Sequence, residues 1–241
     1  MKRLRGLLAL AALSMLLIVA PGSAASDTTC TGLITGGTHD NVVVPPGQAC
    51  FITAATVLGN VKALEDSRLR ITASNVRGNV EGDKADIVQV VSSRVGGNIV
   101  VKEGGPPVSV APGFTGCASA LGISTPCEVF IDGTTVEAGN IQIEKLHGTV
   151  WVTDSVAPSP IRGNVKVEDN FSSPAAEFIF VSRNEVEQNV QVFKNKGPGR
   201  KRVSENVVQQ SLQCWENDQP FIGAPNVARD AEGQCSATPL P

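Results

Sequence analysis

Gly59-Asn60-Val61, Gly78-Asn79-Val80, Gly97-Asn98-Ile99, Gly139-Asn140-Ile141 and Gly163-Asn164-Val165 are five copies of one tripeptide, and Gln188-Asn189-Val190 is a sixth with its first residue changed. Successive asparagines stand 19, 19, 42, 24 and 25 residues apart. A period in that range marks a stacked solenoid with one coil per repeat. Three residues before the Asn stands Val57, Val76, Val95, Ile161 or Val186, and three after it Ala63, Val101, Ile143, Val167 or Val192. These positions share parity with the Val or Ile that follows the Asn, as in a single strand with one buried face. Glu137 and Gly82 break the pattern. A second apolar pair, Leu69 and Ile71 or Val88 and Val90, lies about ten and eight residues before the Asn, with an offset of one at Val129 and Ile131. Each coil therefore holds at least two strands.

No apolar stripe of period 3.6 persists, and Gly, Pro, Asn and β-branched residues punctuate every window. The chain reads as all-β. Short strands without two-residue hairpin turns favour a parallel β-helix over an antiparallel sandwich. Eight or nine coils at about 4.8 Å each predict a rod about 40 Å long.

The repeat resembles the right-handed parallel β-helix proteins, and most closely the exported bacterial proteins built on Gly-Asn-Val coils, over residues 42–235. A looser likeness is to the bactofilin-like polymer-forming proteins, whose filaments grow by end-to-end stacking of coils. The resemblance implies a single-domain right-handed solenoid and no particular activity. Within each repeat, Gly serves a positive φ or a close approach, and Asn tolerates the tight turn beside it. Stacked at coil spacing, Asn60, Asn79, Asn98, Asn140, Asn164 and Asn189 predict an amide ladder along the axis, with a structural role.

Residues 1–25 have the form of an export signal: Lys2, Arg3 and Arg5, an apolar run over 7–20, then Ser23-Ala24-Ala25. That run is too short to span a bilayer, so the exported domain, 26–241, is expected to have no membrane span. Loss of those three cations takes the formal charge from −3 to −6. A mildly acidic chain lacks the field of a nucleic-acid binder. The six cysteines all lie in the exported part, where disulfides persist. Their order in the chain pairs Cys30 with Cys50, Cys117 with Cys127 and Cys214 with Cys235, as staples rather than metal or redox ligands. The first and last would lie in caps at 26–50 and 214–241, blocking the strand edges through which a solenoid polymerises. A monomer is expected.

The longer coils add residues after the Asn strand, at 103–127, 168–177 and 194–203. Those insertions are expected to form one continuous flank, the first candidate for a recognition surface. Segment 103–127 reads equally well as a degenerate coil with Val108 and Val110 as its remaining strand, because 42 is close to two periods. Asp66, Asp83, Glu103, Glu144, Glu168 and Asp169 fall near the same corner, where stacked acids would either recruit Ca²⁺ or splay into water; the second is preferred, and no metal or cofactor is expected. Lys194, Lys196, Arg200, Lys201 and Arg202 crowd into nine residues, either a solvated loop or a site for an anionic polymer.

No catalytic constellation stands out. His39 and His147 occupy different coils, the cysteines are committed to bridges, and no carboxylate pair is singled out. Trp151 is the expected exposed aromatic, and Trp215 is expected to pack under the end cap. The reading is a secreted, non-catalytic β-helix with a structural or binding role at the envelope or outside the cell, its partner an envelope polymer or glycan. The alternatives are a carbohydrate-active enzyme on an acidic polysaccharide and a self-assembling envelope scaffold.

Overall fold

A computed structural model of the chain describes residues 26–105, 113–114, 127–172 and 178–237. Those residues contain strands and turns but no helix. They wind as a parallel β-solenoid of about nine turns, with three sheets running along its axis. The first sheet holds the strands that follow each Asn, among them Val61–Ala63, Val80–Asp83, Ile99–Lys102, Ile141–Glu144, Val165–Glu168 and Val190–Phe193. The second holds Ala49–Thr53, Arg68–Thr72, Ile87–Val91, Val129–Asp132, Val150–Thr153 and their successors; the third begins with Thr38–His39, Thr56–Val57, Asn75–Val76, Arg94–Val95 and Thr135–Val136. Every pairing is parallel.

Register follows the repeat. Val61 pairs with Val80, Val80 with Ile99, Ile99 with Ile141, Ile141 with Val165, and Val165 with Val190. The same residues point inward and are fully buried, together with second-sheet Leu69, Ile71, Val90, Ile131 and Val152. Each such Val or Ile contributes about 1.5–3 kcal/mol through burial. The odd Gly82 also fits: its missing side chain leaves room for Val88, whose Cγ2 would lie 2.7 Å from any added Cβ.

The structure corrects the sequence reading at one point and decides between its alternatives at two others. Val57 and Val61 are not on one strand: the chain turns at residues 58–60, and the first five coils each place three strands in three sheets. Segment 103–127 is not a degenerate coil, because Ile99–Lys102 pairs directly with Ile141–Glu144, and Ile87–Val91 with Val129–Asp132. No layer therefore stands between these pairs; Val108 and Val110 lie outside the described residues. The glycines of the tripeptide do not adopt positive φ. They permit close approach instead, since a Cβ on Gly78 would come within 2.5 Å of both Asn60 Oδ1 and the Gly59 carbonyl. Within 26–50, Asp27–Thr29 and Leu33–Thr35 already pair in register with the second coil.

Positive φ falls at the other two corners, mostly on residues with side chains. One column is Ala54, Ala73, Ser92, Gly133, Asp154, Arg183 and Glu205, between the second and third sheets; the other includes Lys84, Glu103, Lys145, Asp169, Lys194 and Glu216. A left-handed non-glycine residue costs about 1 kcal/mol or more. Interlayer backbone bonds hold it, such as Ala54 N–H to Thr72 O at 3.1 Å and Ser92 N–H to Asp132 O at 2.8 Å. The disulfides Cys30–Cys50 and Cys214–Cys235 lie in the core near the two ends. Cys117 lies outside the described residues.

Candidate functional site

The corner between the second and third sheets carries a groove. Its floor is the left-handed column Ala54, Ala73, Ser92 and Gly133, small residues in four successive layers, the first three exposed and the last half-buried. The next residue turns inward: Ala55 N–H donates to Ser74 Oγ at 3.1 Å, Ser74 N–H donates to Ser93 Oγ at 3.2 Å, and both serine hydroxyls donate to the carbonyl two residues earlier. The residue after that faces out again as Thr56, Asn75, Arg94 and Thr135 and forms a rim. Together with Ser159 they line a shallow, open depression of about 450 Å³.

The backbone of this corner is used unevenly. The amides of the left-handed residues are spent on the next layer, and Asn75, Arg94 and Thr135 donate to the carbonyls of Ala55, Ser74 and Ser93. Among the described residues nothing donates to the carbonyls of Ala54, Ala73 and Ser92. The groove thus offers a column of backbone acceptors flanked by hydroxyls and an amide. Its single charge, Arg94, is held by Glu137 at 2.7 Å.

The groove stops where larger residues take over the column. Arg183 donates to both carboxylate oxygens of Asp154, at 2.7 and 2.8 Å. The Arg183 guanidinium holds Asp154 below the usual carboxylate range, against its partial burial. Asp132, one layer earlier, is pushed up by burial and by Asp154, with Arg183 opposing.

The asparagines of the tripeptide line the corner between the third and first sheets. Each donates its backbone N–H to the Oδ1 of the preceding one: Asn79 to Asn60, Asn98 to Asn79, Asn140 to Asn98 and Asn164 to Asn140 at 2.8 Å, and Asn189 to Asn164 at 3.1 Å. The column begins a layer earlier at Asn41 and ends on Ser211. Two further ladders went unread in the sequence. Asn170, Asn195 and Asn217 are stacked and buried at the corner between the first and second sheets, and Asn184, Asn206 and Asn226 at the corner that carries the groove. Their side-chain amides also donate to buried carbonyls, Asn195 to Val167 and Asn206 to Val181. Spacings of 20 to 25 residues were the available signal, without the flanking glycine.

The acids near the first corner are interleaved with lysines. Lys166 bridges Glu144 and Glu168, Lys102 meets Glu144 at 3.5 Å, Lys194 meets Glu168 at 3.5 Å, and Lys145 meets Glu103 at 3.4 Å. Asp66 and Asp169 sit at left-handed turns, and Asp83 ends a strand. Among the described residues, no three acids, histidines or cysteines are grouped to hold a metal.

The basic run 194–202 does not form one surface. Lys194 faces Glu168, Lys196 faces Asp218 at 3.4 Å, and Arg202 donates to Glu205 at 2.5 Å, while Arg200 opens the strand Arg200–Ser204. Lys201 points into the core and donates to Gly197 O and Gly199 O at 2.6 and 2.8 Å; burial pushes its pKa down. Much of the expected flank, within 103–127 and 168–177, lies outside the described residues.

Trp151 points outward yet is only 7% exposed, stacked on Phe180 with ring centroids 4.8 Å apart. Trp215, expected under a cap, is 45% exposed. His39 Nε2 stands 3.4 Å from Gly36 O, and His147 lies beside Phe171 in a different layer. The chain matches no known protein family, no curated protein and no solved structure.

Proposed function

We propose that this chain is an exported, non-catalytic solenoid with a binding role at the cell envelope or outside the cell, and that the groove between the second and third sheets is its binding surface. The groove lining carries the reading: it holds hydroxyls, an amide, free carbonyls and one neutralised guanidinium, but no carboxylate or imidazole to move a proton. Two disulfides buried near the ends fit an oxidising, non-cytoplasmic compartment. Among the described residues no helix is long and apolar enough to cross a membrane.

The test is retention of the purified domain on a panel of immobilised polysaccharides, with new reducing or unsaturated ends followed in parallel. Retention without product is expected. Product formation that scales with protein would overturn the non-catalytic reading.

One observation favours a second reading, a carbohydrate-active enzyme. Asp132 precedes the groove residue Gly133 and pairs in register with Thr153, so Asp154 stands one layer on; Asp132 is pushed toward the protonated form and Asp154 is held ionised, the division of labour of an acid and its partner carboxylate. Asp154, however, is engaged by Arg183 through both oxygens. If product does appear, Asp132→Asn should abolish it; activity surviving that change would sink this second reading.

A further inference from the structure

The geometry points to a neutral, hydroxyl-rich glycan, lying along the solenoid axis, as the ligand of the corner groove; this rests on the binding role proposed above. The groove follows four layers of the left-handed column, so it spans roughly 15–20 Å at about 4.8 Å per layer. It runs across the strands. A peptide added as a β-strand needs alternating donors and acceptors along one sheet edge. Here the amides of Ala54, Ala73 and Ser92 are already bonded to Thr72, Val91 and Asp132, and only the carbonyl side of the column is open.

A column of acceptors selects donors. Sugar hydroxyls donate to carbonyls, and the Ser92 and Thr56 hydroxyls and the Asn75 amide can answer remaining lone pairs and protons of the sugar units. Acidic glycans fit poorly. A carboxylate or sulfate would meet carbonyl oxygens of its own sign, and the one cation, Arg94, is held by Glu137 at 2.7 Å. An extended glycan is stiff and advances per sugar by a length close to the layer spacing, so successive units meet equivalent acceptors. With no aromatic side chain in the lining, binding would rest on repeated hydrogen bonds and favour long chains over monosaccharides.

The fold supplies its own groove-filling variants. Later layers carry Arg183 and Glu205 in the conformation that Ala73 and Ser92 adopt in the groove, at φ of 55° and 60° against 47° for both floor residues. Ala73→Arg and Ser92→Glu should therefore fold and fill the floor. The experiment measures binding of cellohexaose, mannohexaose and hexagalacturonate to the full exported domain, at low and high salt, for the parent and both variants, with melting temperature as the folding control.

At least one neutral hexasaccharide should bind with little salt dependence, and Ala73→Arg should weaken it tenfold or more at an unchanged melting temperature. Binding of hexagalacturonate alone, lost at high salt and in Ala73→Arg, would overturn the neutral class while leaving the groove as the site. Binding indifferent to both variants would overturn the groove. No binding by any of the three would remove this inference, and retention on the polysaccharide panel would then decide whether the binding role survives it.

Discussion

Gly78 and Asn79 act as one device: the glycine lets two layers approach until the preceding Asn side chain can reach a backbone amide, and the asparagine supplies the acceptor for the layer after it. Both residue types were legible from their repetition, but the reason for the glycine was not, since a positive φ and a close approach look alike in one dimension. The buried ladders were harder to read because Asn170, Asn195 and Asn217 follow charged left-handed residues rather than glycine. Burial ranks the consequences. Asn79→Ala removes an acceptor that water can replace, so a loss of about 1 kcal/mol is expected. Asn195→Leu strips the acceptor from the Asn170 amides and the donor from the Val167 carbonyl inside the core, and should cost about 3 kcal/mol or more. Gly78→Ala forces a methyl against backbone and should cost about 1–3 kcal/mol. Urea midpoints of the three variants check the order; an Asn79→Ala loss equal to that of Asn195→Leu would contradict the distinction between wet and dry ladders.

On the scale of strands and corners, sequence pattern fails where a corner preserves parity. Val57 lies in the third sheet and Val61 in the first, yet both point inward, so a period of two runs through the bend unbroken. The groove was invisible for a related reason: Ala54, Ala73 and Ser92 recur at 19-residue spacing but carry no chemical signature, and only their left-handed backbone makes a floor of them. The acids of the first sheet were legible as a group, whereas their lysine partners, interleaved at the same spacing, turn stacked repulsion into attraction. Glu168 is held below the ordinary glutamate value of 4.5 by hydrogen bonding to Lys166, against partial burial, with Lys194 adding to the shift. Burial alone would push Glu144 up, but Gln142, Lys166 and Lys102 outweigh it. Carboxylates with lowered folded-state pKa stabilise above their unfolded value and lose that contribution as pH falls through the folded value. Lys166→Met leaves Glu144 and Glu168 as like-charged register neighbours, so their pKa values should rise instead. The variant should be less stable than the parent by about 1 kcal/mol at pH 7 for such partly exposed pairs. That deficit should shrink as pH falls below 4.5. Melting temperatures of both proteins from pH 7 to 3 test this; a deficit constant across the range would exclude the ion pairs as its source.

Across the whole molecule, each layer touches only its neighbours, so stability is close to a sum of layer and interface contributions and the ends are the natural place for unfolding to start. The outermost layer at the N-terminal end is thin: Asp27–Thr29, Leu33–Thr35 and Thr38–His39 supply short strands, and Leu33 is largely exposed. Cys30–Cys50 ties this layer to the next through the core, and Cys214–Cys235 does the same at the other end. With the first pair 20 positions apart in the chain, loop-closure entropy gives the bridge a contribution of about 3 kcal/mol. In a cooperative globule that loss would lower protection everywhere. In this solenoid the double change Cys30→Ala with Cys50→Ala should fray the first two layers and leave the middle intact. Amide hydrogen exchange should accordingly speed up in Asn41–Val44 and Ala49–Thr53 and hold its parent rate in Ile99–Lys102 and Ile141–Glu144. Equal acceleration in all four strands would show that the solenoid unfolds as one unit, and the bridges would then serve global stability rather than the ends.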